Sequence, residues 1–336
     1  MLVMEDRYIK LQQGKTTMIV DKVGAQVVSL KIDGVEVMFQ GALNPSNAQW
    51  KASAKNLFPN PGPVGNTDIN DEPLEVEEYD NNGKIDKYTV YHHNGGKYRA
   101  KQHGFAQDEE FKVFGQTENT AFLSISAERN QTYTQYPYNY KYDIDLGVQE
   151  GGFTYKSHVR NIDTKPILAG MGWHPAFALH DDPSRYTIVF KNLKTDGECE
   201  IEEDVEYDIY DSIISNNKSV KFGGIKSVDV VLLYTDDNGE KIPYLSMHSE
   251  EPYIILWSKN VTEEGQNHFI CIEPWNTTPR QINNLTTQDK TKDLVKKGAV
   301  IIEPGKYKTL QATVDVNPKY IKRVKVRKKA KEAKAR

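Results

Sequence analysis

Short runs in which apolar and polar residues alternate are the feature that most constrains the fold of this chain. In the segment VVSLKIDGVEVMF, apolar residues alternate with polar ones up to Ile32, and the alternation resumes at Val35. A period of two residues is typical of a strand with one buried face. The intervening Asp33-Gly34 predicts a two-residue type I′ β-hairpin.

The same pattern continues along the chain. In YKYDIDLGV every second residue from Tyr140 to Val148 is apolar, and Glu150-Gly151-Gly152 then predicts a turn into a further strand. Similar runs follow in DVVLLYTDDNG, PYIILWS, HFICIEPW and GAVIIEPG, whereas no long helical period occurs before residue 319. The sequence therefore predicts an all-β fold of antiparallel sheets, a sandwich or a barrel. The polar, turn-rich segment 44–86 is interpreted as long loops beside a site.

Charge divides the chain into an acidic body and a basic tail. Residues 319–336 contain ten Lys or Arg and one acid, so the totals of 43 basic and 47 acidic residues leave 33 and 46 in residues 1–318. An acidic body argues against nucleic acid as its partner, because phosphate contacts need a basic face. The tail could bind nucleic acid or an acidic partner, but a solvated, weakly helical charge run is favoured. With no linker in between, we expect one domain over 1–318 followed by this tail.

Cysteine content and hydropathy bear on the compartment. The two cysteines, Cys199 and Cys271, are far apart and lack metal-type spacing, which fits a reducing compartment. The N-terminus carries Asp and Glu where a signal peptide needs an apolar run. No apolar stretch approaches the roughly 20 residues of a membrane span. We therefore expect a cytoplasmic protein without a membrane partner.

Three short segments combine rare polar residues with tight local geometry: QHGFAQDEEF, GWHPAF and FICIEPWNTTP. His174 precedes a proline and is therefore extended. Burial among apolar neighbours would keep it neutral, although a core histidine is an alternative reading. Glu273 ends an apolar strand, where burial raises a carboxyl pKa. Trp275 could stack on a sugar ring or belong to the core, and His103 could be a turn histidine.

In that order, HGFAQD, HPAF and CIEPW resemble the motifs of the aldose 1-epimerase (galactose mutarotase) family. The resemblance is closest to its LacX-like branch, whose members usually have HGFARD, HPYF and CIEPW. The segment AKNLFPNPGPVGN is similar to that branch's LFP-x-x-G-R motif, and YPYNYKYDIDL to its YPF-x-F-x-L strand. The resemblance spans roughly residues 20–312, and it implies a β-supersandwich of antiparallel sheets.

The resemblance also implies roles for individual residues. Glu273 takes the position of the family's general base, His174 that of its general acid, and His103 that of a second histidine that holds the substrate. No metal or other cofactor is implied. Further expected substrate-binding residues are Asp229, as a low-ranking candidate for a sugar-binding aspartate, with Trp275, Phe105, Gln107 and Lys55.

Two departures from the family pattern concern arginines. The arginine of the LFP segment is missing, with Pro63 or Asn66 nearby instead, and Gln107 stands where HGFARD has arginine. Lost arginines weaken the case for a phosphorylated substrate; Lys55 could compensate.

The expected function is interconversion of the α and β anomers of a free aldohexose by acid–base ring opening. Two alternatives stay open: a non-catalytic carbohydrate-binding or sensing protein of the same fold, and a hexose-6-phosphate 1-epimerase. A glycoside hydrolase is less favoured, since it needs a second carboxylate within roughly 5–10 Å of the first, and no motif supplies one. Truncation after Pro318 is expected to leave the fold intact. The oligomeric state stays open.

Overall fold

A computed structural model of the chain describes residues 6–40, 54–62, 75–81, 84–93, 96–127, 135–197, 199–259, 268–278 and 300–335. Strands of the first half are β1 Tyr8–Gln13, β2 Thr16–Asp21, β3 Gln26–Ile32, β4 Val35–Glu36, β5 Lys55–Leu57, β6 Val76–Asn81, β7 Lys84–His93, β8 Gly96–Lys101, β9 Lys112–Gln116, β10 Thr120–Ser126, β11 Tyr140–Gln149 and β12 Gly152–Asn161. Those of the second half are β13 Ile167–Leu168, β14 Gly172–His174, β15 Ala176–Leu179, β16 Tyr186–Thr195, β17 Glu206–Asp208, β18 Ser219–Phe222, β19 Ile225–Thr235, β20 Lys241–Ser249, β21 Tyr253–Trp257, β22 His268–Trp275, β23 Ile301–Ile302 and β24 Tyr307–Val316. One long helix, α1 Pro318–Ala335, follows the last strand. Short 3-10 helices lie at Ala106–Asp108 and Pro183–Arg185, and a π-helical turn at Tyr210–Ile214.

Two antiparallel sheets form the body of the protein. The large sheet has nine strands in the order β17-β16-β19-β20-β24-β12-β11-β10-β9. The small sheet has the order β18-β21-β22-β14-β5, and β15 also pairs with β22. Smaller sheets are formed by β1–β4, by β6–β8, and by β13 with β23. The prediction of an all-β fold built from antiparallel sheets is confirmed.

The two predicted hairpins are present. Ile32 pairs with Val35 across Asp33 and Gly34, whose φ angles of 48° and 81° are the two positive values that a type I′ turn requires. In β11, every second residue from Tyr140 onward is buried. Its partner β12 pairs with it from Gly152, so the turn consists of Glu150 and Gly151. Strict alternation places one face of β11 in the core and the other toward solvent.

Aromatic side chains join the large sheet to the small one. The Tyr155 ring on β12 stacks on Trp173 of β14, with centroids 4.5 Å apart and an interplanar angle of 10°. Phe58, which follows β5, stacks on Tyr142 of β11 at 4.7 Å. All four rings are buried. Because the strands that carry the histidine and glutamate motifs lie directly on this core, their backbones are held by packing on one face.

The basic tail forms α1, and its first turns dock on the body. Tyr320 and Ile321 are 1% and 2% exposed. The Tyr320 ring stacks on Tyr244 at 4.0 Å, and its hydroxyl lies 2.8 Å from that of Tyr186 and 3.0 Å from Nδ1 of His180. The expectation of a solvated charge run is therefore wrong for this part of the tail. Tyr320 and Ile321 anchor the helix, although composition alone predicts a solvated tail because ten cations surround these two residues in sequence.

Ion pairs extend the docking along α1. Arg323 contacts Asp236 at 2.6 Å, Lys325 contacts Asp33 at 2.7 Å, and Arg327 pairs with Asp181. These acids belong to the acidic body, so the charge asymmetry of the sequence is partly neutralised within the molecule. The division into 1–318 and 319–336 stays a prediction.

The expectation of long loops over residues 44–86 is wrong where the structure describes that segment. Residues 55–57 form β5, the end strand of the small sheet, and residues 76–81 and 84–86 belong to the paired strands β6 and β7. Residues 44–53, 63–74 and 82–83 lie outside the described residues. Among the described helices, none is long and apolar enough to cross a membrane.

Candidate functional site

Strand β22 carries the carboxylate of the candidate site, because successive side chains of a strand point to opposite faces of its sheet. On one face it directs Ile270 and Ile272 into the main core. The residues at the alternate positions, Cys271, Glu273 and Trp275, are buried but belong to the opposite face of the small sheet. Period-two geometry therefore brings a thiol, a carboxyl and an indole to one surface.

His174 lies opposite Glu273 in the strand register. Gly172 pairs with Trp275, and Ala176 pairs with Cys271, so the position midway on each strand matches His174 with Glu273. Pro175 has no N–H to donate, which accounts for the break between β14 and β15 at this point. The dipeptide His174-Pro175 thus ends one pairing segment where the imidazole must face the carboxyl.

The two side chains form a buried acid–base pair. Nε2 of His174 lies 3.3 Å from Oε1 of Glu273, and the side chains are 7% and 2% exposed. Burial raises the pKa of Glu273 well above its usual value. Burial also lowers the pKa of His174 well below its usual value, and the positive charge of Lys55 acts in the same direction. Both shifts favour the uncharged forms of the two side chains, since a low dielectric disfavours charge.

Trp275 holds the carboxyl. Its indole Nε1 donates a hydrogen bond of 3.1 Å to Oε2 of Glu273, and the ring is 4% exposed. This bond favours the ionised carboxyl and so lowers the pKa of Glu273 against the larger effect of burial. The structure places Trp275 beside Glu273 as a buried hydrogen-bond donor and not as an exposed stacking surface, and substrate binding by this residue stays a prediction.

His103 reaches the pair from a tight turn. Its ring centroid lies 5.4 Å from that of His174, nearly perpendicular to it. Its φ of 66° and that of Gly104, 68°, are left-handed, and a Cβ on Gly104 would lie 2.0 Å from the carbonyl oxygen of Phe58. Only glycine fits there, which explains the HG dipeptide.

Hydrogen bonding fixes the tautomer of His103. Nδ1 accepts a 3.0 Å bond from the backbone N–H of Gly62, so the neutral ring carries its proton on Nε2. Burial and the charge of Lys55 lower the pKa of His103 to about 3. A neutral imidazole with a fixed Nε2 proton is a directional donor for a hydroxyl oxygen.

Lys55 lies in the same row of residues. It is half-buried on β5 and pairs with His174 across the sheet, so that Lys55, His174 and Glu273 lie on three neighbouring strands of the small sheet. Its positive charge lowers the pKa of His174, of His103 and of Cys271. The predicted Lys55 therefore belongs to the site.

Phe105 and Gln107 do not reach the pair through any described contact. Phe105 is 2% exposed and packs against Phe58, with ring centroids 5.6 Å apart. Gln107 donates from its side chain to the carbonyl oxygens of Gln102 and Gly104, so it braces the turn that carries His103. Their role is to shape this loop, and the expectation of direct substrate binding by them gains no support.

Asp229 lies on a different sheet. On β19 of the large sheet, its carboxylate accepts a 2.6 Å bond from Asn192 and contacts Nδ1 of His248 at 2.7 Å. The described contacts give no link between Asp229 and the acid–base pair. Its selection rested on a DVV strand pattern, which recurs in any sheet and carries no information about which sheet.

Sequence reasoning missed Cys271 and Trp257. The ligand atoms of His174, Cys271 and Glu273 all lie within 4.8 Å of one another. Trp257 on β21 pairs with Cys271, and its ring meets His174 edge-on at 5.7 Å. Counting two residues back from Glu273 along a predicted strand would have found the thiol.

Comparison with known proteins agrees with this geometry. Residues 7–292 match the model of the family described as aldose 1-epimerase. The chain belongs to the aldose 1-epimerase family. A search of curated protein sequences found no significant match.

Solved structures of this family share the fold. A galactose mutarotase related enzyme from Lactobacillus acidophilus superposes with a TM-score of 0.67 at 18% identity, covering 92% of this chain and 97% of its own. A galactose mutarotase-like protein from Lactobacillus casei gives 0.64 at 20% identity, with 92% and 100% covered. A galactose 1-epimerase from Lactobacillus acidophilus gives 0.57 at 11%, with 92% and 94% covered. This aldose 1-epimerase family member therefore has the galactose mutarotase-like β-sandwich fold.

Proposed function

We propose that this protein is an aldose 1-epimerase that interconverts the α and β anomers of a free aldohexose. The observation that carries the proposal is the buried contact between His174 and Glu273, one imidazole and one carboxyl 3.3 Å apart. Anomer interconversion needs one base and one acid acting on two oxygens of the same carbon. A contacting pair on adjacent strands can reach both oxygens at once.

The proposed chemistry removes one proton from the hemiacetal and adds one to it. Glu273 accepts the proton of the C1 hydroxyl, while His174 donates a proton to the ring oxygen. The bond between C1 and the ring oxygen breaks, which leaves an aldehyde and a free hydroxyl. After rotation about the C1–C2 bond, His174 takes the hydroxyl proton back, the ring closes on the other face, and Glu273 returns its proton to the C1 oxygen.

The two charge states of the pair correspond to the two forms of the sugar. Before ring opening Glu273 is a carboxylate and His174 an imidazolium; after ring opening both are neutral. Burial favours the neutral pair in the empty site, and ring opening produces that same pair. While the closed sugar is bound, its hydroxyls stabilise the ion pair by hydrogen bonding. The ion pair and the neutral pair are then close in free energy.

His103 and Lys55 support this relay in our proposal. The Nε2 proton of His103 is directed to a sugar hydroxyl, and the charge of Lys55 makes the His174 imidazolium a stronger acid, because it lowers the pKa of that ring. Trp275 keeps the carboxyl oriented through Oε2 and leaves Oε1 for the substrate.

We propose a neutral sugar rather than a hexose 6-phosphate. Arg99 pairs with Glu77 at 2.5 Å and Lys101 pairs with Asp108, so two of the cations nearest to His103 in sequence are already neutralised. Gln107, in the position of an expected arginine, braces its own loop. Lys55 lies opposite His174 on the neighbouring strand, and a single lysine lacks the forked geometry with which arginine binds phosphate. The two free thiols, Cys199 and Cys271, support a reducing, cytoplasmic location.

The test is NMR exchange spectroscopy of anomer interconversion with glucose, galactose and their 6-phosphates, each against a protein-free blank. We expect exchange above the blank for a neutral aldose and abolition of the excess in Glu273→Gln. Sugar binding without any excess over the blank would favour the non-catalytic binding protein. A preference for a 6-phosphate would favour the hexose-6-phosphate epimerase, with Lys55 as the first residue to vary.

A further inference from the structure

Three different metal-binding side chains meet in the site, and the proposed isomerisation uses only two of them. His174, Cys271 and Glu273 each direct one donor atom to the same place, with all three atoms within 4.8 Å of one another and all three residues buried. Cys271 and Glu273 are there because they are two residues apart on β22, and His174 because it faces them from the neighbouring segment. The cluster rests on strand geometry, not on loops.

The distance between the nitrogen and oxygen donors fits a tetrahedral ion, and Sγ of Cys271 lies within 4.8 Å of both donor atoms. In a tetrahedral site, zinc bonds of about 2.0–2.2 Å place a nitrogen ligand and an oxygen ligand roughly 3.3–3.5 Å apart. With a zinc–sulfur bond of about 2.3 Å, the sulfur lies roughly 3.5–3.7 Å from either of these atoms. Nε2 of His174 and Oε1 of Glu273 are 3.3 Å apart. A thiolate, an imidazole and a carboxylate are also a mixed donor set that zinc accepts and that Mg²⁺ or Ca²⁺ does not.

The charge of the ligand set matches a divalent ion. In the metal-bound state a thiolate and a carboxylate supply two negative charges and a neutral imidazole adds none, so one Zn²⁺ makes the set neutral. Trp275 already acts as an outer partner, since its Nε1 orients Glu273 through the oxygen that does not face His174.

We propose that His174, Cys271 and Glu273 bind a thiophilic divalent cation, of which Zn²⁺ is the best fit, and that the bound ion blocks the acid–base pair. Binding joins the metal to Nε2, Sγ and Oε1. It displaces to solvent the thiol proton and the proton that His174 and Glu273 share. Three protein ligands leave a fourth position for water or a sugar oxygen.

The ion acts as an inhibitor in this scheme, because it occupies the lone pairs that accept and return the proton. That part of the inference rests on the proposed epimerase function, whereas the binding itself does not. The two can therefore fail separately.

The experiment is a titration of untagged, reduced protein with Zn²⁺ by calorimetry and with Co²⁺ by absorption, where a thiolate-to-cobalt charge-transfer band reports a sulfur ligand. The variants are Cys271→Ala and Cys271→Ser, with Cys199→Ala as the matched control that removes the other thiol. Near-ultraviolet circular dichroism confirms that each variant is folded, and the serine variant keeps the volume of the side chain if alanine unfolds the strand.

We expect one Zn²⁺ per chain and a charge-transfer band in the wild type and in Cys199→Ala. Both Cys271 variants should lose the band and bind Zn²⁺ more than about 100-fold more weakly, beyond the 10–100-fold typical of outer-shell changes. Absence of 1:1 binding in the wild type, or an unchanged band in Cys271→Ser, would overturn the site. If anomer exchange is present, Zn²⁺ should abolish it and a chelator should restore it; binding without such inhibition would overturn the blocking role alone.

Discussion

Deletion of the basic tail after Pro318 should unfold or severely destabilise the protein. The charge pattern alone predicts a harmless deletion, but the structure places Tyr320 and Ile321 in the core, 1% and 2% exposed. The deletion also removes the ring that stacks on Tyr244 and the hydroxyl that meets His180 and Tyr186.

The magnitude follows from these two side chains. Removing a buried large aromatic residue to alanine costs about 3–5 kcal/mol, and removing a buried isoleucine costs about 2–5 kcal/mol. Their sum, about 5–10 kcal/mol, is comparable with the whole free energy of unfolding of a typical domain, about 5–15 kcal/mol. The lower end applies here, because Tyr186 and His180 would be hydrated after the deletion and would not stay buried without partners.

The assay is urea unfolding followed by tryptophan fluorescence. The matched control is deletion of residues 330–336 only, which keeps Tyr320, Ile321 and the ion pair of Arg327 with Asp181. We expect that control to stay within about 0.5 kcal/mol of the wild type. If deletion after Pro318 changes the free energy of unfolding by no more than the control does, the packing argument is refuted and the tail is a solvated run after all.

Four further predictions concern buried ionisable groups. Glu273→Gln and His174→Asn should each lower the rate of anomer exchange by about 10²–10⁴-fold. The loss in the double variant should be much smaller than the product of the two single losses, because the pair acts as a unit; a loss equal to that product would contradict this. Trp275→Phe removes the donor to Glu273, so its pKa should rise further and the exchange rate fall about 10–100-fold, and an unchanged rate would show that the bond is not needed. The acidic limb of the pH–rate profile should lie below pH 6.5, since the pKa of His174 is lowered from that value; a limb above it would contradict the burial argument. Burial raises the pKa of Glu251 from 4.5 to about 7, so the free energy of unfolding falls by about 3 kcal/mol as the pH rises from about 4.5 to about 7. Glu251→Gln should lack most of this fall when urea unfolding is measured at about pH 5 and about pH 9, and an equal fall in both proteins would refute it.

The sequence predicts the fold class but only part of the site, because the fold class follows from local patterns and the site depends on pairing between distant strands. Alternation in VVSLKI and YKYDIDLGV is a local property, so the hairpins at Asp33-Gly34 and Glu150-Gly151 follow from residues that are adjacent in sequence. The meeting of His174 with Glu273 depends on a pairing between strands almost 100 residues apart, which the periodicity does not specify. The resemblance to a family names the two residues together, and the strand register places them opposite each other, while their catalytic roles stay a prediction.

Residues chosen for their type alone fared worse than residues chosen for their position. Asp229 was selected as an aspartate in a strand, and it lies on the large sheet in contact with His248. Cys271 was set aside as a cysteine without metal-type spacing, although Zn-type spacing rules describe ligands close together in loops and not on paired strands. The composition of the tail does not indicate that Tyr320 is buried. Ten cations dominate that composition, but burial depends on individual side chains.

In the proposed mechanism, the contact between His174 and Glu273 restricts how a sugar enters the site. The two side chains lie 3.3 Å apart, so the hemiacetal takes the place of that contact instead of filling open space. Trp275 limits the disturbance, because it keeps Oε2 bonded while only the contact through Oε1 is exchanged. The ion pair is then needed only while the closed sugar is bound, when its hydroxyl and ring oxygen lie between the charges. A site built in this way stores no buried charge at rest, and it assembles acid and base at the moment when the substrate can use both.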